Sequence, residues 1–177
     1  MIAAVVPAAG HSQRMGRPKL ILTVDGRTVI SRVVTALRAG GASRVVVVAP
    51  PADAAGASIL HDEARAAGAE LIVPATRPND MRASVEHALD HLERGETAPA
   101  TVLLVPADSP GLNPELVALI VERAKAEPGA ILVPVVAGNR GHPVALPWPV
   151  ALGVRALHAG VGVNALMALN AAKVVEV

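Results

Sequence analysis

Three cationic side chains lie close together shortly after the first apolar segment of the sequence. Arg14, Arg17 and Lys19 fall within six positions, in a loop that is otherwise rich in small residues. Gly10 and Gly16 can adopt backbone angles that let a ligand approach the chain closely, and successive N–H groups in such a loop form a concave anion site. Arginine and lysine both suit a polyphosphate. The spacing matches neither the Walker A nor the G-x-G-x-x-G pattern, so the residues alone leave open a phosphate-binding loop or a solvated surface turn.

A carboxylate follows a second apolar segment. Asp108 comes shortly after residues 101–105 and two positions before Pro110. In open α/β sheets, ligands bind outside the carboxyl ends of the strands, so the first loop and Asp108 are expected to lie close together. Mg²⁺ typically takes one or two carboxylates together with substrate phosphates. Asp108 is therefore either a Mg²⁺ ligand or a residue that satisfies backbone N–H groups in its own turn.

The composition excludes several classes of protein. The chain has 177 residues, of which 52% are hydrophobic and 18% charged, so it is long and apolar enough to form a core and is not a disordered chain. A net charge of +1 and an aromatic content of 1% argue against binding to nucleic acid or to a membrane surface. The sequence has no cysteine, no long apolar run and no signal-peptide pattern. We expect a single cytoplasmic domain over residues 1–177.

Apolar runs and helical periodicity alternate along the chain. The patterns predict seven strands, within residues 2–6, 44–49, 70–73, 101–105, 130–136, 142–146 and 172–177. They predict helices that start near residues 29, 53, 81, 114, 149 and 164, and Thr28 and Asn113 are expected to cap two of them. Ile59 is expected to face inward. The order favours a three-layer α/β/α sandwich with a mainly parallel, mixed, Rossmann-like sheet of about seven strands, in which the strands near 130–136 and 142–146 are antiparallel.

The first loop also resembles a known family. Pro7-Ala8-Ala9-Gly10-x-x-x-Arg14-Met15-Gly16-Arg17-Pro18-Lys19-Leu20 is similar to the signature loop of the MobA-like nucleotidyltransferases, which have a GT-A-type fold of the nucleotide-diphospho-sugar transferase kind. The Ala-Ala-Gly and Arg-Pro-Lys details resemble the molybdenum cofactor cytidylyltransferases more than the guanylyltransferases. The resemblance implies a Mg²⁺-dependent enzyme that moves a nucleoside monophosphate from a nucleoside triphosphate, with CTP favoured, to a phosphorylated acceptor such as molybdopterin. It implies a monomer or weak homodimer.

The resemblance carries residue roles with it. Asp108-Ser109-Pro110 matches the family's Asp-x-Pro motif, Met81-Arg82-Ala83-Ser84-Val85 matches a Met-x-x-Ser-Leu-like stretch, and Arg140-Gly141-His142-Pro143 matches an Arg-Gly-His-Pro segment. Arg14, Lys19 and Asp108 are the implied catalytic residues, with Asp108 as the metal ligand. The implied acceptor-side residues are Arg140, Gly141 and His142. The implied nucleotide-binding residues are Pro7, Ala8, Ala9, Gly10, Arg14, Met15, Gly16, Lys19, Asn79, Met81, Ser84 and Asp108.

The sequence departs from the family pattern towards its C-terminal end. Family members commonly continue past a strand like 173–177 into an Asp-x-Asp-Thr-Pro segment, which the sequence given does not contain. Family members also have a Gly-Asp-x-Gly-Ala-Arg segment, and the position of its acidic residue is occupied by Val161 here. A second metal-binding carboxylate is therefore expected to be missing. This leaves open a non-catalytic nucleotide-binding or regulatory homologue, a transferase acting on a sugar phosphate or phospholactate-like acceptor, and a plain α/β binding domain. His87 and His91 have a zinc-ligand spacing but no evident third ligand, so we interpret them as surface residues.

Overall fold

The computed structural model describes residues 1–10, 18–158 and 160–177. The strands are β1 (Ile2–Pro7), β2 (Thr23–Val24), β3 (Arg27–Thr28), β4 (Arg44–Val48), β5 (Glu70–Ile72), β6 (Thr101–Leu104), β7 (Ile131–Val133), β8 (Val135–Val136), β9 (Asn139–Arg140), β10 (Val144–Pro147) and β11 (Val174–Glu176). The α-helices are α1 (Val29–Ala39), α2 (Ala57–Ala66), α3 (Met81–Glu93), α4 (Pro114–Ala126), α5 (Trp148–Leu152) and α6 (Ala165–Leu169). Short 3₁₀ turns cover Lys19–Ile21, Gly153–Ala156 and Ala171–Lys173.

Seven of these strands form one mixed sheet, in the order β11-β7-β10-β6-β1-β4-β5. β10 runs antiparallel to both of its neighbours, and the other pairs are parallel. The predicted seven-stranded, mainly parallel mixed sheet is therefore confirmed, and so is the antiparallel pairing of the strands near 130–136 and 142–146. β1 and β6 lie side by side at the centre, which brings their carboxyl ends to the same edge of the sheet.

Helices cover both faces of the sheet, as the three-layer prediction requires. Alternate side chains of each strand point to opposite faces. In β1, Ala4 and Val6 belong to the core shared with α1, α2 and α4, whereas Ala3 and Val5 pack with α3, α5 and α6. These strands are apolar at nearly every position because both of their faces are buried.

Local capping signals explain where two helices begin. The Thr28 hydroxyl accepts a hydrogen bond from the Ser31 N–H at the start of α1. The Asn113 side chain accepts from the N–H groups of Glu115 and Leu116 at the start of α4, and Pro114 occupies the first turn, where its missing N–H costs nothing. Both predicted caps are confirmed.

Three element predictions need correction. The strand expected over 130–136 divides into β7 and β8 at Pro134, which lacks the N–H that a continuous ladder needs. The helix expected from residue 53 begins at Ala57, because Gly56 adopts a left-handed conformation with φ of 73°. Ile59 is 53% exposed, since the buried stripe of α2 passes through other positions. Within the part of the chain that the structure describes, no helix combines the length and apolar character needed to cross a bilayer.

Candidate active site

A cleft lies at the carboxyl ends of β1 and β6, the two central parallel strands. It is lined by residues that follow both strands, together with residues from the 3₁₀ turn and the start of α3: Pro7, Ala8, Gly10, Lys19, Leu20, Met81, Pro106, Ala107 and Asp108. The structure thus brings together the first loop and Asp108, which are about a hundred positions apart in sequence. This is the edge where open α/β sheets bind ligands.

The start of the first loop is held against the sheet. The Ala8 N–H donates to the carbonyl of Val48 at 2.8 Å, and Ala8 and Ala9 are 3% and 1% exposed. Gly10 is exposed, and a Cβ built on it would meet nothing within 4 Å. The described start of the loop therefore leaves the sheet as a fixed backbone, and Gly10 lines the cleft. Arg14, Met15 and Gly16, which we predict to contact the nucleotide, lie outside the described residues.

A turn of 3₁₀ helix places Lys19 over the cleft. Leu20 anchors this turn in the core with 8% exposure. Gly56 fits against the turn so closely that a Cβ there would lie 2.9 Å from Pro18 Cγ and from Ile21 Cδ1. The Lys19 ammonium can then reach Asp108, and its Nζ lies 2.5 Å from Asp108 Oδ2.

Asp108 lies in a turn that is fastened on both sides. The Val105 N–H donates to the Val5 carbonyl at 3.1 Å, and Arg32 Nε donates to the Pro110 carbonyl at 3.0 Å. The hydrogen bond from Lys19 lowers the pKa of Asp108, while partial burial opposes this effect. Asp108 is therefore an ionised carboxylate at neutral pH, and its side chain is 48% exposed to the cleft.

This carboxylate fits a hard divalent cation. Among residues 1–10, 18–158 and 160–177, no three His, Cys, Asp or Glu side chains are close enough together to form a closed metal site. Mg²⁺ does not need such a cage, because it commonly binds one or two carboxylates and completes its shell with phosphate oxygens and water. A single exposed carboxylate beside a loop that we predict to bind phosphate is compatible with that mode of binding.

The three residues assigned to the acceptor side have different surroundings. His142 is exposed to solvent but crowded enough by its neighbours that burial lowers its pKa, and the negative charge of Asp108 opposes this shift. The two side chains are therefore near enough to interact electrostatically, although His142 is not among the described residues that line the cleft. The Gly141 N–H donates to the Pro134 carbonyl at 2.7 Å. The Arg140 guanidinium points instead to β11, where its Nε donates to Glu176 Oε1 at 2.9 Å.

The start of α3 contributes one residue to the cleft. Met81 lines the cleft and is 50% exposed. Asp80 caps the helix by accepting the Ala83 N–H at 2.8 Å, a cap that the sequence analysis did not identify. Ser84 lies one turn further on, is 3% exposed, and donates its hydroxyl to the Asp80 carbonyl at 3.3 Å. Asn79 is exposed in the loop just before the helix. Ser84 does not line the cleft in the described part of the chain, and its contact with nucleotide stays a prediction.

Two arginines near the cleft were not found from the sequence. Arg77 donates to the carbonyls of Ala9 and Gly10, and Arg32 holds the turn that carries Asp108. No spacing rule marks either residue, since each acts on backbone oxygens far away in sequence. Pro106 and Ala107, by contrast, could have been found by extending the strand-end argument from Asp108 to the residues before it. At the start of β5, Glu70 is hydrogen-bonded to His91 at 2.8 Å.

With this fold and cleft, the chain belongs to the family of MobA-like NTP transferase domains, which it matches over residues 4–174. It is 37% identical over 151 residues to a molybdenum cofactor guanylyltransferase of Rhizobium meliloti, covering 84% of this chain and 64% of that protein. It is 36% identical over 137 residues to a 2-C-methyl-D-erythritol 4-phosphate cytidylyltransferase of Saccharopolyspora erythraea, covering 76% of this chain and 59% of that protein. The matches thus span less than two thirds of these two relatives.

Solved structures agree with the fold. Rv0371c from Mycobacterium tuberculosis H37Rv has a TM-score of 0.78 at 24% identity, with 99% of this chain and 86% of that chain covered. A second structure of Rv0371c, in complex with manganese, has a TM-score of 0.77. A 4-diphosphocytidyl-2C-methyl-D-erythritol synthase has a TM-score of 0.73 at 18% identity, with 99% and 87% of the two chains covered.

Proposed function

We propose that this protein is a Mg²⁺-dependent nucleotidyltransferase, which moves a nucleoside monophosphate from a nucleoside triphosphate to a phosphorylated acceptor and releases pyrophosphate. One observation carries the proposal: the first loop, Lys19 and the ionised Asp108 line the same cleft at the carboxyl edge of the sheet. The cleft therefore combines backbone and a cation for phosphate with a carboxylate for a divalent metal. Membership of the NTP transferase family supports the same reading.

Each of these groups has a role in the proposed reaction. The backbone around Gly10, the Arg14 guanidinium and the Lys19 ammonium bind the triphosphate. Asp108 holds Mg²⁺, which would neutralise charge on the phosphate oxygens. An oxygen of the acceptor phosphate attacks the α-phosphorus in line, the bond from that phosphorus to the β-phosphate oxygen breaks, and pyrophosphate leaves. Positioning and charge neutralisation supply most of the catalysis in reactions of this kind.

The Lys19–Asp108 ion pair has a consequence for this scheme. In the structure the ammonium pairs with Asp108 Oδ2, an oxygen that a metal would need. The triphosphate offers Lys19 a new anionic partner, so binding of metal and nucleotide together releases the carboxylate. Both side chains are nearly half exposed, so opening the pair costs only about 0.2–1 kcal/mol. The pair therefore keeps two charges in place without blocking the site.

The nucleotide base has two candidates. The Ala8-Ala9-Gly10 and Arg17-Pro18-Lys19 details resemble cytidylyltransferases and favour CTP. The name of the Rhizobium meliloti relative favours GTP. We assign Met81, which lines the cleft, and Asn79, in the loop just before α3, to the binding of base and sugar. Met81 offers an apolar surface to the base but no hydrogen bond that would distinguish cytosine from guanine, so a titration has to decide.

The acceptor would approach from the side of His142. Its imidazole, which interacts electrostatically with Asp108, can donate to or accept from an acceptor phosphate. Arg140 would first have to leave Glu176. The resemblance of the first loop implies molybdopterin as acceptor, and the name of the Saccharopolyspora erythraea relative suggests a phosphorylated polyol; both offer a phosphate nucleophile. A manganese complex of a protein of the same fold makes other divalent cations worth testing beside Mg²⁺.

Calorimetric titration of CTP, GTP, ATP and UTP, with and without Mg²⁺, tests the proposal. We expect one nucleotide to bind in the micromolar range only when Mg²⁺ is present, and pyrophosphate to appear when molybdopterin or a phosphorylated polyol is added. Binding that is indifferent to Mg²⁺ and yields no pyrophosphate would identify a non-catalytic nucleotide binder. Binding of none of the four would refute the assignment of the loop.

A further inference from the structure

Arg77 makes an unusual contact with the start of the phosphate-binding loop. It lies in the segment between β5 and α3, and its Nη1 donates to the carbonyl of Ala9 and, at 3.3 Å, to that of Gly10. These two carbonyls are consecutive, and they belong to the first residues of the loop beyond the sheet. A single guanidinium therefore holds two successive backbone carbonyls.

The orientation of a carbonyl decides where the next N–H points. A trans peptide is planar, and its C=O and N–H point in opposite directions. Because the Ala9 carbonyl is turned towards Arg77, the Gly10 N–H is turned away from it. Gly10 lines the cleft, whereas Arg77 is not among the described residues that do so. The contact thus holds the Ala9 carbonyl towards Arg77 and leaves the Gly10 N–H on the other side of the peptide, where an anion could accept it.

We propose that Arg77 is a positioning residue for the phosphates: it holds the peptide planes at Ala9 and Gly10 so that the loop presents N–H donors rather than carbonyl oxygens to the nucleotide. The inference rests on the proposed function, since it concerns how the same cleft binds a triphosphate. Without the guanidinium, either carbonyl is free to rotate towards the cleft, where its partial negative charge would repel phosphate. Arg77 acts through the loop and does not itself contact the nucleotide.

A purely structural role makes a different prediction. An arginine that only stabilises the fold would, when lost, weaken binding of nucleoside and triphosphate alike. Arg38 provides a matched control, because its Nη1 also donates to a backbone carbonyl, that of Gly68, at 3.3 Å. Arg38 lies at the end of α1, and neither it nor Gly68 lines the cleft as described.

The test measures affinity as a function of the number of phosphates. Arg77→Gln, Arg77→Lys, Arg38→Gln and the native chain are titrated with the nucleoside and with its mono-, di- and triphosphate, using the base that the native chain binds. We expect Arg77→Gln to weaken triphosphate binding about tenfold and nucleoside binding less than about twofold. Arg77→Lys, which keeps a cationic donor, should recover most of the loss. Arg38→Gln should change none of the four affinities.

A second measurement needs no variant and therefore does not depend on Arg77→Gln folding. In the ¹⁵N-labelled native chain, titration with inorganic pyrophosphate should move the amide resonance of Gly10 in a saturable way. An unmoved Gly10 amide, an equal loss for nucleoside and triphosphate in Arg77→Gln, or no loss at all would overturn the inference and leave the proposed function standing. A native chain whose affinity does not rise with phosphate number would overturn both.

Discussion

Replacing Asp108 with asparagine should strengthen the binding of metal-free nucleotide and weaken the use of metal-bound nucleotide. The substitution keeps the shape of the side chain and removes its negative charge. In the native protein that charge pairs with Lys19 at 2.5 Å. Without a metal, the carboxylate both occupies Lys19 and repels the triphosphate. With a metal, the same carboxylate is the ligand on which the proposed reaction depends.

The structure sets the size of each effect. Unit charges about 6 Å apart interact by about 0.7 kcal/mol in a fully aqueous environment and by about 3 kcal/mol near a protein surface. Because the Asp108 side chain is 48% exposed, we expect about 1 kcal/mol, or roughly fivefold tighter binding of metal-free triphosphate to Asp108→Asn. Loss of the metal ligand should cost several kcal/mol in the transition state, and therefore at least about 100-fold in turnover with Mg²⁺.

The variant should remain folded, which makes the comparison meaningful. Exposed ion pairs contribute about 0.2–1 kcal/mol to stability, so Asp108→Asn should lower the free energy of unfolding by less than about 1 kcal/mol. The assay is calorimetry of the bound nucleotide with Mg²⁺ and with a chelator, together with pyrophosphate release. Parallel losses with and without Mg²⁺ in a stably folded variant would refute the metal role of Asp108. An unchanged affinity in both conditions would refute its place beside the phosphates.

The pKa of His142 gives a second, independent measure of the negative charge of Asp108. The negative charge of Asp108 raises the pKa of His142 against the lowering effect of burial. In Asp108→Asn the opposing contribution disappears, so the pKa of His142 should fall further below its ordinary range. An NMR titration of the imidazole in both proteins measures this change directly. A rise in the pKa, or no change, would show that the two side chains do not interact in solution.

Two further predictions concern stability. Gly56→Ala should destabilise the fold and also weaken triphosphate binding, because at φ of 73° its Cβ would push against the Pro18–Ile21 turn. Gly26→Ala is the control: Gly26 has a φ of 76° with open space around it, so the substitution should lower stability in denaturant unfolding without changing the affinity for triphosphate. Equal affinities of the two variants for triphosphate would contradict this prediction. The pKa of Glu70 is lowered to about 2, first by its hydrogen bond with Arg44. Glu70→Gln should therefore cost about 1 kcal/mol at pH 7, allowing for solvent screening of a side chain 37% exposed. A carboxyl group whose pKa is lower in the folded than in the unfolded protein stabilises the fold at a pH above its unfolded pKa. The stability cost of Glu70→Gln should therefore vanish as the pH falls from 4.5 towards 2 in acid unfolding measurements. A cost that persists at low pH would contradict the assignment.

The sequence determined most of the local structure and six of the nine residues that line the cleft as described. Periodicity placed most helices and strands, because burial on one stripe or on both faces leaves a readable pattern of apolar residues. The caps at Thr28 and Asn113 were readable because a cap is a contact between near neighbours. Lys19 and Asp108 were identifiable because each lies beside a strand-end motif. The prediction that Ile59 faces inward was wrong because an alanine-rich helix has no strong periodic pattern of large apolar residues. The elements that pack against α2 decide which of its faces is buried.

The strand-end argument already put the first loop and Asp108 at one edge of the sheet, but only the tertiary structure decided which side chains are in contact there. The insertion of β10 between β6 and β7 follows from long-range hydrogen bonding and burial, which no local pattern records. The 2.5 Å pair between Lys19 and Asp108 joins residues 89 positions apart. The positioning role proposed for Arg77 depends on the contact of its guanidinium with two backbone carbonyls. Every residue has a backbone carbonyl, so such a contact leaves no signal in the sequence. The sequence therefore determines which chemical groups are available, and the packing of the sheet and its loops determines which of them act together.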